Sequence, residues 1–339
     1  MIRIGIVGLG FMGKMHYRCY NAMENVQITA VCDEDAEQLK NTSGVSGNIT
    51  GAEQELDFSD KKLFSDLTRM LAEEDLDAVS IASPTFLHAS QTIEALNSGK
   101  DVLCEKPMAL NSSDCYHMIE TAEKSGRFLQ IGHCIRFWPE YVQAKQIIDS
   151  EQYGKVLAAS FQRLSLTPTW SWDNCFLDGN RSGGAMLDLH IHDTDFVQHV
   201  FGIPEEVFSR GVIGPSGDYD HTVTQYLYDD QKVVSAEGGW IMAPEFGFEM
   251  SFKIMLEDAT LLYSSAQQPT LKICPKEGEM IIPEVEDGDG YSFEIQHFVN
   301  LISGESVQSV ITPEQSADSV KIIEAEKESV RQRTKIQLK

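Results

Sequence analysis

Residues 2–13 read IRIGIVGLGFMG, a run of mostly β-branched residues that leads into three closely spaced glycines. The apolar run is typical of a strand that is covered on both faces of a parallel sheet. Gly8, Gly10 and Gly13 form the pattern G-x-G-x-x-G, which allows a tight turn, close approach to a pyrophosphate and packing of a helix on the strand. This stretch predicts a nucleotide-binding βα unit. The alternative is a glycine-rich turn that binds nothing.

An acidic residue directly follows the second predicted strand. Residues 26–32 (VQITAVC) form that strand, which ends at Asp33, twenty residues after Gly13. At this spacing a carboxylate accepts hydrogen bonds from an adenosine ribose. Asp33, Glu34 and Asp35 form an acidic group without a neighbouring arginine, and this group would repel a ribose 2′-phosphate. We therefore predict NAD(H) as cofactor in preference to NADP(H). The alternative is an acidic loop after a strand.

Composition narrows the class of protein. The 339 residues, 42% of them hydrophobic, suffice for two domains with their own cores. The net charge of −25 argues against nucleic acid or an anionic membrane as partner, because both attract basic patches. We expect no membrane span and no signal peptide, because no apolar run is long enough and no basic region precedes the first strand. Seven cysteines without a C-x-x-C pattern predict reduced thiols in the cytoplasm.

Residues 1–133 are predicted to form the first of two domains. Strands and helices alternate there with short links, which is typical of a right-handed, doubly wound parallel sheet in an α/β domain. Ligands bind such sheets at the carboxyl ends of the strands. Residues 41–60 are polar and rich in Gly and Ser, and we expect an extended surface loop there.

Residues 134–339 are predicted to form an α+β domain. Several segments alternate apolar and polar residues, as 248–256 does, and they indicate one large antiparallel sheet with a covered face. Strands are expected at 155–166, 206–213, 222–228, 232–241, 248–256, 260–263, 270–274 and 280–282. Helices are expected at 138–150, 184–201, 291–302 and 313–333.

The first stretch that could carry chemistry is Glu105-Lys106-Pro107, directly after a strand of the nucleotide-binding domain. Lys106 is thereby placed where the nicotinamide end of a dinucleotide should lie, and Pro107 restricts the backbone of the link. An ammonium group can donate to a substrate oxygen and stabilise it as an alkoxide while hydride leaves carbon. The alternative is a surface lysine at the end of a strand.

The second stretch is GGAMLDLHIHDTD, residues 183–195. On a helix Asp188, His192 and Asp195 are spaced i, i+4 and i+7 and share one face. An imidazole can take a hydroxyl proton at neutral pH, and a nearby carboxylate can orient it. The alternative is a helix with a polar exposed face.

Taken together, these motifs resemble those of the Gfo/Idh/MocA oxidoreductases, named after glucose–fructose oxidoreductase and inositol dehydrogenase. The resemblance runs from end to end and includes Ala82-Ser83-Pro84-Thr85 with His88, and Arg136-Phe137 with Pro139 and Tyr141. It implies a Rossmann domain, an open C-terminal sheet for substrate and oligomer contacts, and Lys106, Asp188 and His192 as the catalytic set. The cofactor set that it implies is Gly8, Gly10, Phe11, Met12, Gly13, Asp33, Ser83, Pro84, Thr85, His88, Glu105 and Lys106.

The resemblance also implies a reaction on a sugar, inositol or related polyol. In the hypothesis, His192 takes the proton of a secondary hydroxyl, Lys106 stabilises the alkoxide and Asp188 positions these groups while hydride passes to NAD⁺. Arg136, Trp170 and Trp172 are candidates for the substrate pocket, because indoles stack on sugar rings; tryptophans that only pack are the alternative. Two other functions stay open: an NAD-dependent glycosidase of the same family, and a non-enzymatic NAD-binding regulatory protein.

His190 departs from the family pattern, since many members carry glycine there. The sequence His190-x-His192 raises the question of a metal site, but residues two apart on a helix point to different sides. We therefore predict no metal. Open sheets of this family pair face to face, so the resemblance implies a homodimer or homotetramer.

Overall fold

The computed structural model of the chain describes residues 1–43 and 55–338. These residues form two compact units that do not follow the chain in a simple order. The first unit is Met1–Cys134, Trp170–Cys175 and Tyr291–Ala317, and the second is Ile135–Thr169, Phe176–Gly290 and Asp318–Lys339. Two segments of the predicted 134–339 domain therefore group with the first unit.

The first unit is built on a six-stranded sheet in which every neighbouring pair of strands is parallel. Its elements are β1 Ile2–Val7, α1 Phe11–Asn21, β2 Val26–Cys32, β3 Lys62–Phe64, α2 Leu67–Glu73, β4 Ala78–Ile81, α3 Thr85–Asn97, β5 Asp101–Glu105, α4 Ser112–Ser125 and β6 Leu129–Gly132. The strand order β3-β2-β1-β4-β5-β6 is that of a doubly wound Rossmann sheet and confirms the predicted class. Of the predicted 41–60 loop, residues 44–54 lie outside the described residues.

The remaining strands form an eight-stranded sheet with the order β13-β12-β11-β7-β10-β9-β8-β14. The elements that follow β6 along the chain are α5 Pro139–Asp149, β7 Val156–Leu166, α6 Gly179–Ser182, α7 Gly184–Asp188, α8 Ile191–Phe201, β8 Glu206–Ile213, β9 Tyr219–Leu227, β10 Val233–Met242, β11 Phe248–Leu256, β12 Ala259–Ser264, β13 Leu271–Pro275, α9 Gly290–Ile302, α10 Pro313–Gln332 and β14 Ile336–Gln337. Of these, α9 belongs to the first unit. The sheet is mixed, in place of the wholly antiparallel sheet predicted, because β7 and β10 pair in parallel. The predicted 280–282 strand is reduced to one bridge between Ile281 and Ile273.

The core of the first unit includes a helix from late in the chain. Ile4 and Ile6 of β1 are fully buried, as the continuous apolar run predicts. Ile295, Phe298 and Val299 of α9 belong to the same cluster and are fully buried as well. Burying a large apolar side chain contributes about 1.5–3 kcal/mol, so α9 supplies an essential part of this core.

Aromatic rings fasten the helices of the second unit to its sheet. The ring of Tyr141 on α5 meets Phe196 of α8 edge to face at 4.8 Å between centroids, and Phe252 of β11 at 5.1 Å. Such edge-to-face pairs add to the stabilisation that burial alone provides. The start of α8 is therefore held firmly against the inner face of the sheet.

The predicted helix over 184–201 is interrupted. α7 ends at Asp188 and α8 begins at Ile191. The N–H groups of Leu189 and His190 both donate to the carbonyl oxygen of Ala185, at 2.9 and 2.8 Å, so one carbonyl accepts from two donors and the regular pattern of helical hydrogen bonds stops.

Among the helices of the described residues, none combines the length and the apolar character that a membrane span needs.

Candidate active site

The glycine turn between β1 and α1 has the shape that a pyrophosphate requires. A Cβ on Gly8, whose φ is +85°, would lie 2.7 Å from the carbonyl oxygen of Ala82, and a Cβ on Gly13 would lie 1.7 Å from the carbonyl oxygen of Gly8. Among the described residues, a Cβ on Gly10 would meet no heavy atom within 4 Å. The first and third glycines are thus needed for packing, and the second faces open space beside the N-terminus of α1. Phe11 and Met12 begin that helix and are half-buried.

Asp33 stands at the end of β2 and is tied to the same turn. Its Oδ2 accepts from the N–H of Leu9 at 2.7 Å, and its Oδ1 accepts from the N–H of Asp35 at 2.9 Å. Burial raises the pKa of Asp33. Each carboxylate oxygen can accept two hydrogen bonds, so the group can still receive the hydroxyls of a ribose. These contacts fit the adenosine end of a dinucleotide.

Lys14, which directly follows Gly13, was missing from the predicted set. It is buried in the first turn of α1, and its Nζ donates to the carbonyl oxygen of Ser43 at 3.0 Å. Burial, together with the charge of Arg18, lowers the pKa of Lys14. A lysine immediately after the third glycine is the signal that could have identified this cation beside the phosphate turn.

Glu105 is held inside the first unit and has a partner that the sequence did not suggest. Its Oε1 lies 2.9 Å from Nε2 of His16, whose Nδ1 lies 2.6 Å from the hydroxyl of Ser80. Its Oε2 accepts from the backbone N–H of Lys106 at 3.1 Å. Although burial acts to raise it, the hydrogen bond and charge of His16 and the charge of Lys106 hold the pKa of Glu105 below its usual value. Glu105 thereby anchors Lys106 in place.

His88 has a different surrounding from the one predicted for a residue that lines the cofactor. Its side chain is buried, with Nδ1 at 2.8 Å from the carbonyl oxygen of Pro107 and Nε2 at 2.8 Å from that of Ser83. Burial lowers the pKa of His88. The imidazole thus connects the turn before α3 to the link after β5. His88 thus holds two segments of the site together, and its contact with the cofactor stays a prediction.

The other predicted cofactor residues lie at the carboxyl ends of β4 and β5. Ser83, Pro84 and Thr85 lead into α3, and the hydroxyl of Ser83 donates to Oε1 of Gln91 at 2.6 Å. Lys106 follows β5 and is half-buried. Because the carboxyl ends of parallel strands form one edge of the sheet, these residues share that edge with the glycine turn.

In the second unit, Asp188 ends α7 and His192 lies in the first turn of α8. His192 is half-buried, while every other residue of 191–198 is buried. Asp195, the third residue of the predicted common face, is paired with an arginine. Its carboxylate accepts from Nε and Nη2 of Arg136, both at 2.8 Å, and from the hydroxyl of Ser319 at 2.9 Å.

Arg136 thus pairs with a buried carboxylate, whereas the sequence predicts it in the substrate pocket. The exposed fraction of its side chain is 0% and that of Asp195 is 1%. Arg163 makes an equivalent pair with Asp193, at 3.0 and 3.1 Å. These two-point contacts support a structural role for Arg136, namely fixing α8 in the second unit. Trp170 and Trp172 group with the first unit, where Trp172 is 42% exposed.

Arg136→Met is expected to lower the free energy of unfolding by about 3–5 kcal/mol, because it leaves the Asp195 carboxylate buried without its charged partner. Urea denaturation measures this loss. Lys145→Met is the matched control, since it breaks the exposed i,i+4 pair with Asp149 and should cost less than about 1 kcal/mol. A stable Arg136→Met protein with a raised KM would instead favour the substrate contact.

One group of ligand-type side chains converges in the residues that the structure describes. His16, Glu105 and Glu294 are buried, and their ligand atoms lie within 4.8 Å of one another. The hydrogen bond between His16 and Glu105 already satisfies two of the three groups. Neither His190 nor His192 belongs to this group.

Comparison with known proteins agrees with the geometry of both units. Residues 2–133 match the family model described as "Oxidoreductase family, NAD-binding Rossmann fold", and residues 141–262 match the "GFO/IDH/MocA C-terminal domain". The two matches together cover well over half of the chain. The chain belongs to the Gfo/Idh/MocA oxidoreductase family. The predicted family and the NAD-binding nature of the Rossmann domain are thereby confirmed.

Individual members of the Gfo/Idh/MocA family resemble the chain to different extents. The 2,7-anhydro-N-acetylneuraminate hydratase of Mediterraneibacter gnavus is 33% identical over 210 residues, which is 61% of this chain and 51% of that protein. The chain thus spans about half the length of this relative. The inositol 2-dehydrogenase/D-chiro-inositol 3-dehydrogenase of Lactiplantibacillus plantarum is 25% identical over 315 residues, 89% of this chain and 83% of that protein.

A solved structure shows the same fold over the full length. The WlbA dehydrogenase of Bordetella pertussis, crystallised with NADH and UDP-GlcNAcA, superposes with a TM-score of 0.82. The match covers 100% of this chain and 99% of that one at 21% identity. This likeness establishes the shared architecture of the family.

Proposed function

We propose that the chain is an NAD(H)-dependent oxidoreductase that transfers a hydride between nicotinamide and a secondary alcohol or ketone of a sugar, inositol or related polyol. The observation that carries this proposal is the glycine turn, in which Gly8 and Gly13 are tightly packed and Gly10 faces open space. Asp33 without a neighbouring arginine favours NAD(H) over NADP(H). The inositol dehydrogenase among the relatives supports the substrate class.

The proposed roles follow the chemistry of each side chain. Bound NAD⁺ supplies the hydride acceptor. Lys106 of the first unit, held by Glu105 through its N–H, stabilises the negative charge that develops on the substrate oxygen. His192 of the second unit takes the hydroxyl proton, and Asp188 orients the reacting groups.

A screen for NADH fluorescence tests the proposal. The purified chain is incubated with NAD⁺ and a panel of inositols, hexoses, uronic acids and amino sugars, and in the reverse direction with NADH and the matching ketones. We expect turnover on at least one compound with NAD(H), and a lower kcat/KM with NADP(H). Cofactor binding by calorimetry without turnover on any compound would favour the non-enzymatic regulatory alternative. Absence of binding by NAD⁺ and NADH would overturn the proposal.

A second candidate reaction is one in which the cofactor is regenerated within each turnover. The relative from Mediterraneibacter gnavus is named a hydratase, and hydration involves no net oxidation. A glycosidase that oxidises its substrate, eliminates the leaving group and then reduces the intermediate also causes no net oxidation. Product formation that is supported by substoichiometric NAD⁺, with no rise in NADH fluorescence, would favour this candidate over a simple dehydrogenase.

We also propose that two or four copies of the chain associate through the outer face of the eight-stranded sheet. Apolar side chains stand out from three of its strands, with exposed fractions of 43% for Val223, 60% for Val233 and 42% for Met255. Val233 lies beside Ala158 of β7, and Ala158 lies beside Met255, so these three form an apolar row across neighbouring strands. Exposed apolar side chains that adjoin one another mark an interaction surface. The seven free cysteines are consistent with the further proposal of a cytoplasmic protein.

Light scattering is expected to give two or four times the chain mass of 37.9 kDa. Val233→Asp should shift the protein toward the single-chain mass, because it places a charge in the row of apolar side chains that Val233 forms with Ala158 and Met255. Glu305→Gln, an exposed change on the first unit, is the control. A wild-type mass of 37.9 kDa across the micromolar range would contradict the proposal.

A further inference from the structure

A closed polar cluster lies directly behind the junction of α7 and α8. It consists of His190, Thr194, Tyr226 and Glu326, here called the His190 cluster, and each residue is 0–2% exposed. Nε2 of His190 lies 3.1 Å from Oε2 of Glu326. The hydroxyls of Tyr226 and Thr194 donate to the other oxygen, Oε1, at 3.0 and 3.2 Å. Oε1 of this buried carboxylate therefore accepts two hydrogen bonds, while Oε2 makes none and lies beside the His190 ring.

The imidazole of His190 occupies space that a glycine leaves open. A Cβ at Gly238 of β10 would lie 2.7 Å from Nδ1 of His190 and 2.8 Å from its Cβ, and the three nearest atoms to that position all belong to His190. The ring is therefore packed against the β10 backbone while its Nε2 faces Glu326 on α10. Any larger residue at 238 would push the ring out of this position.

The backbone of His190 connects this cluster to the two residues proposed for chemistry. Its N–H donates to Ala185 in α7, and its carbonyl oxygen accepts from Asp193 and Thr194 in α8. Asp188 lies two residues before His190 and His192 two residues after it. A rotation of this junction would therefore change the direction of both side chains.

The rest of the first turn of α8 is held by separate contacts. Asp193 pairs with Arg163 and Asp195 with Arg136, each through two hydrogen bonds. These pairs hold α8, while the His190 cluster holds the junction itself.

We propose that His190 is a positioning residue, whose contact with Glu326 and packing on Gly238 set the direction of Asp188 and His192. The positioning itself is a property of the second unit. Its consequence for turnover rests on the proposed function. A purely structural role would lower stability and leave the geometry and kinetics of His192 unchanged.

The first test compares two histidine–glutamate pairs of the same unit. Glu326→Gln removes the charge opposite His190, and Glu237→Gln does the same for His221, whose Nε2 lies 3.1 Å from Glu237 Oε1 at a partly exposed position. We expect kcat to fall about 10- to 100-fold in Glu326→Gln, with KM changed less than about twofold, because small displacements of catalytic groups carry such costs. Glu237→Gln should keep the wild-type kcat.

The second test perturbs the imidazole without removing any polar group. Gly238→Ala places a methyl group against the His190 ring and should lower kcat as Glu326→Gln does. In a His190→Gly background the same methyl group meets no ring, so Gly238→Ala should have little further effect. This non-additivity is the signature of direct coupling between the two positions. Additive effects of the two substitutions would contradict the packing argument.

The third readout is independent of turnover. The ¹³Cε1–¹H signal of His192, assigned through His192→Asn, is compared in wild type, Glu326→Gln and Glu237→Gln across pH. We expect a changed position and titration midpoint in Glu326→Gln alone. An unchanged His192 signal in folded Glu326→Gln and Gly238→Ala, even with a lower melting temperature, would overturn the proposal. Should the wild type lack dehydrogenase turnover, the proposed function fails while this measurement still decides the role of His190.

Discussion

Lys106→Met is expected to lower kcat by a factor of about 100 to 1,000, because the variant loses the ammonium group that faces the charge developing on the substrate oxygen. Methionine keeps the length and apolar stem of the side chain. Glu105 stays anchored to His16 and to the backbone N–H at position 106, so the link after β5 should keep its shape. The measurement is steady-state kinetics on the first substrate that the screen identifies.

Lys100→Met is the matched control for this experiment. Lys100 precedes the opposite end of β5, and its Nζ donates to the carbonyl oxygen of Leu76 at 2.9 Å. Its loss should affect stability modestly and leave kcat within about twofold of wild type, because surface polar contacts contribute about 1 kcal/mol or less. Near-normal turnover of Lys106→Met would remove Lys106 from the proposed mechanism, whatever the control shows.

Alanine at Gly13 should lower the stability of the first unit, whereas alanine at Gly10 should weaken the binding of NAD⁺. At Gly13 the new Cβ would lie 1.7 Å from the carbonyl oxygen of Gly8, so we expect the first unit to lose about 3 kcal/mol or to misfold. At Gly10 the Cβ meets no atom of residues 1–43 and 55–338 within 4 Å, so the fold should keep its stability. The methyl group would instead occupy the space proposed for the diphosphate and weaken NAD⁺ binding about 10- to 100-fold.

Thermal denaturation and calorimetric titration with NAD⁺ separate these two results. Gly13→Ala should unfold at a lower temperature, and Gly10→Ala should melt with the wild type while binding NAD⁺ weakly. A Gly10→Ala variant with wild-type affinity would show that no phosphate approaches this turn. Each variant serves as the control for the other, since both add one methyl group to the same segment.

Local patterns were the part of this protein that could be predicted from its sequence. The glycine turn and the strand ending at Asp33 are contiguous signals, because each depends on residues close together along the chain. The break between α7 and α8 has no such signal, since Leu189 and His190 fit a helix as well as their neighbours do. It arises where Ala185 accepts two hydrogen bonds and where His190 packs in the interior.

The partners of the buried charged residues could not be predicted from the sequence, for a different physical reason. Arg136 and Asp195 are 59 positions apart, and His16 and Glu105 are 89 positions apart. Only the folded topology brings such residues together, so their sequence neighbours contain no trace of the pairing. For this reason the sequence predicts a substrate contact for Arg136 and gives no sign that His16 is the partner of Glu105. The parallel pairing of β7 with β10 and the cis peptide bond before Pro107 likewise could not be predicted from the neighbouring sequence.

The late helix α9 has a consequence for how the protein is made. It completes the core around β1, and its Glu294 carbonyl oxygen and His297 ring both bond the side chain of Gln130 next to the sheet edge. The first unit can therefore complete its core only after residue 302 has left the ribosome. Until then part of the apolar cluster around β1 lacks its cover, and the nascent chain depends on chaperones or on rapid folding to avoid aggregation.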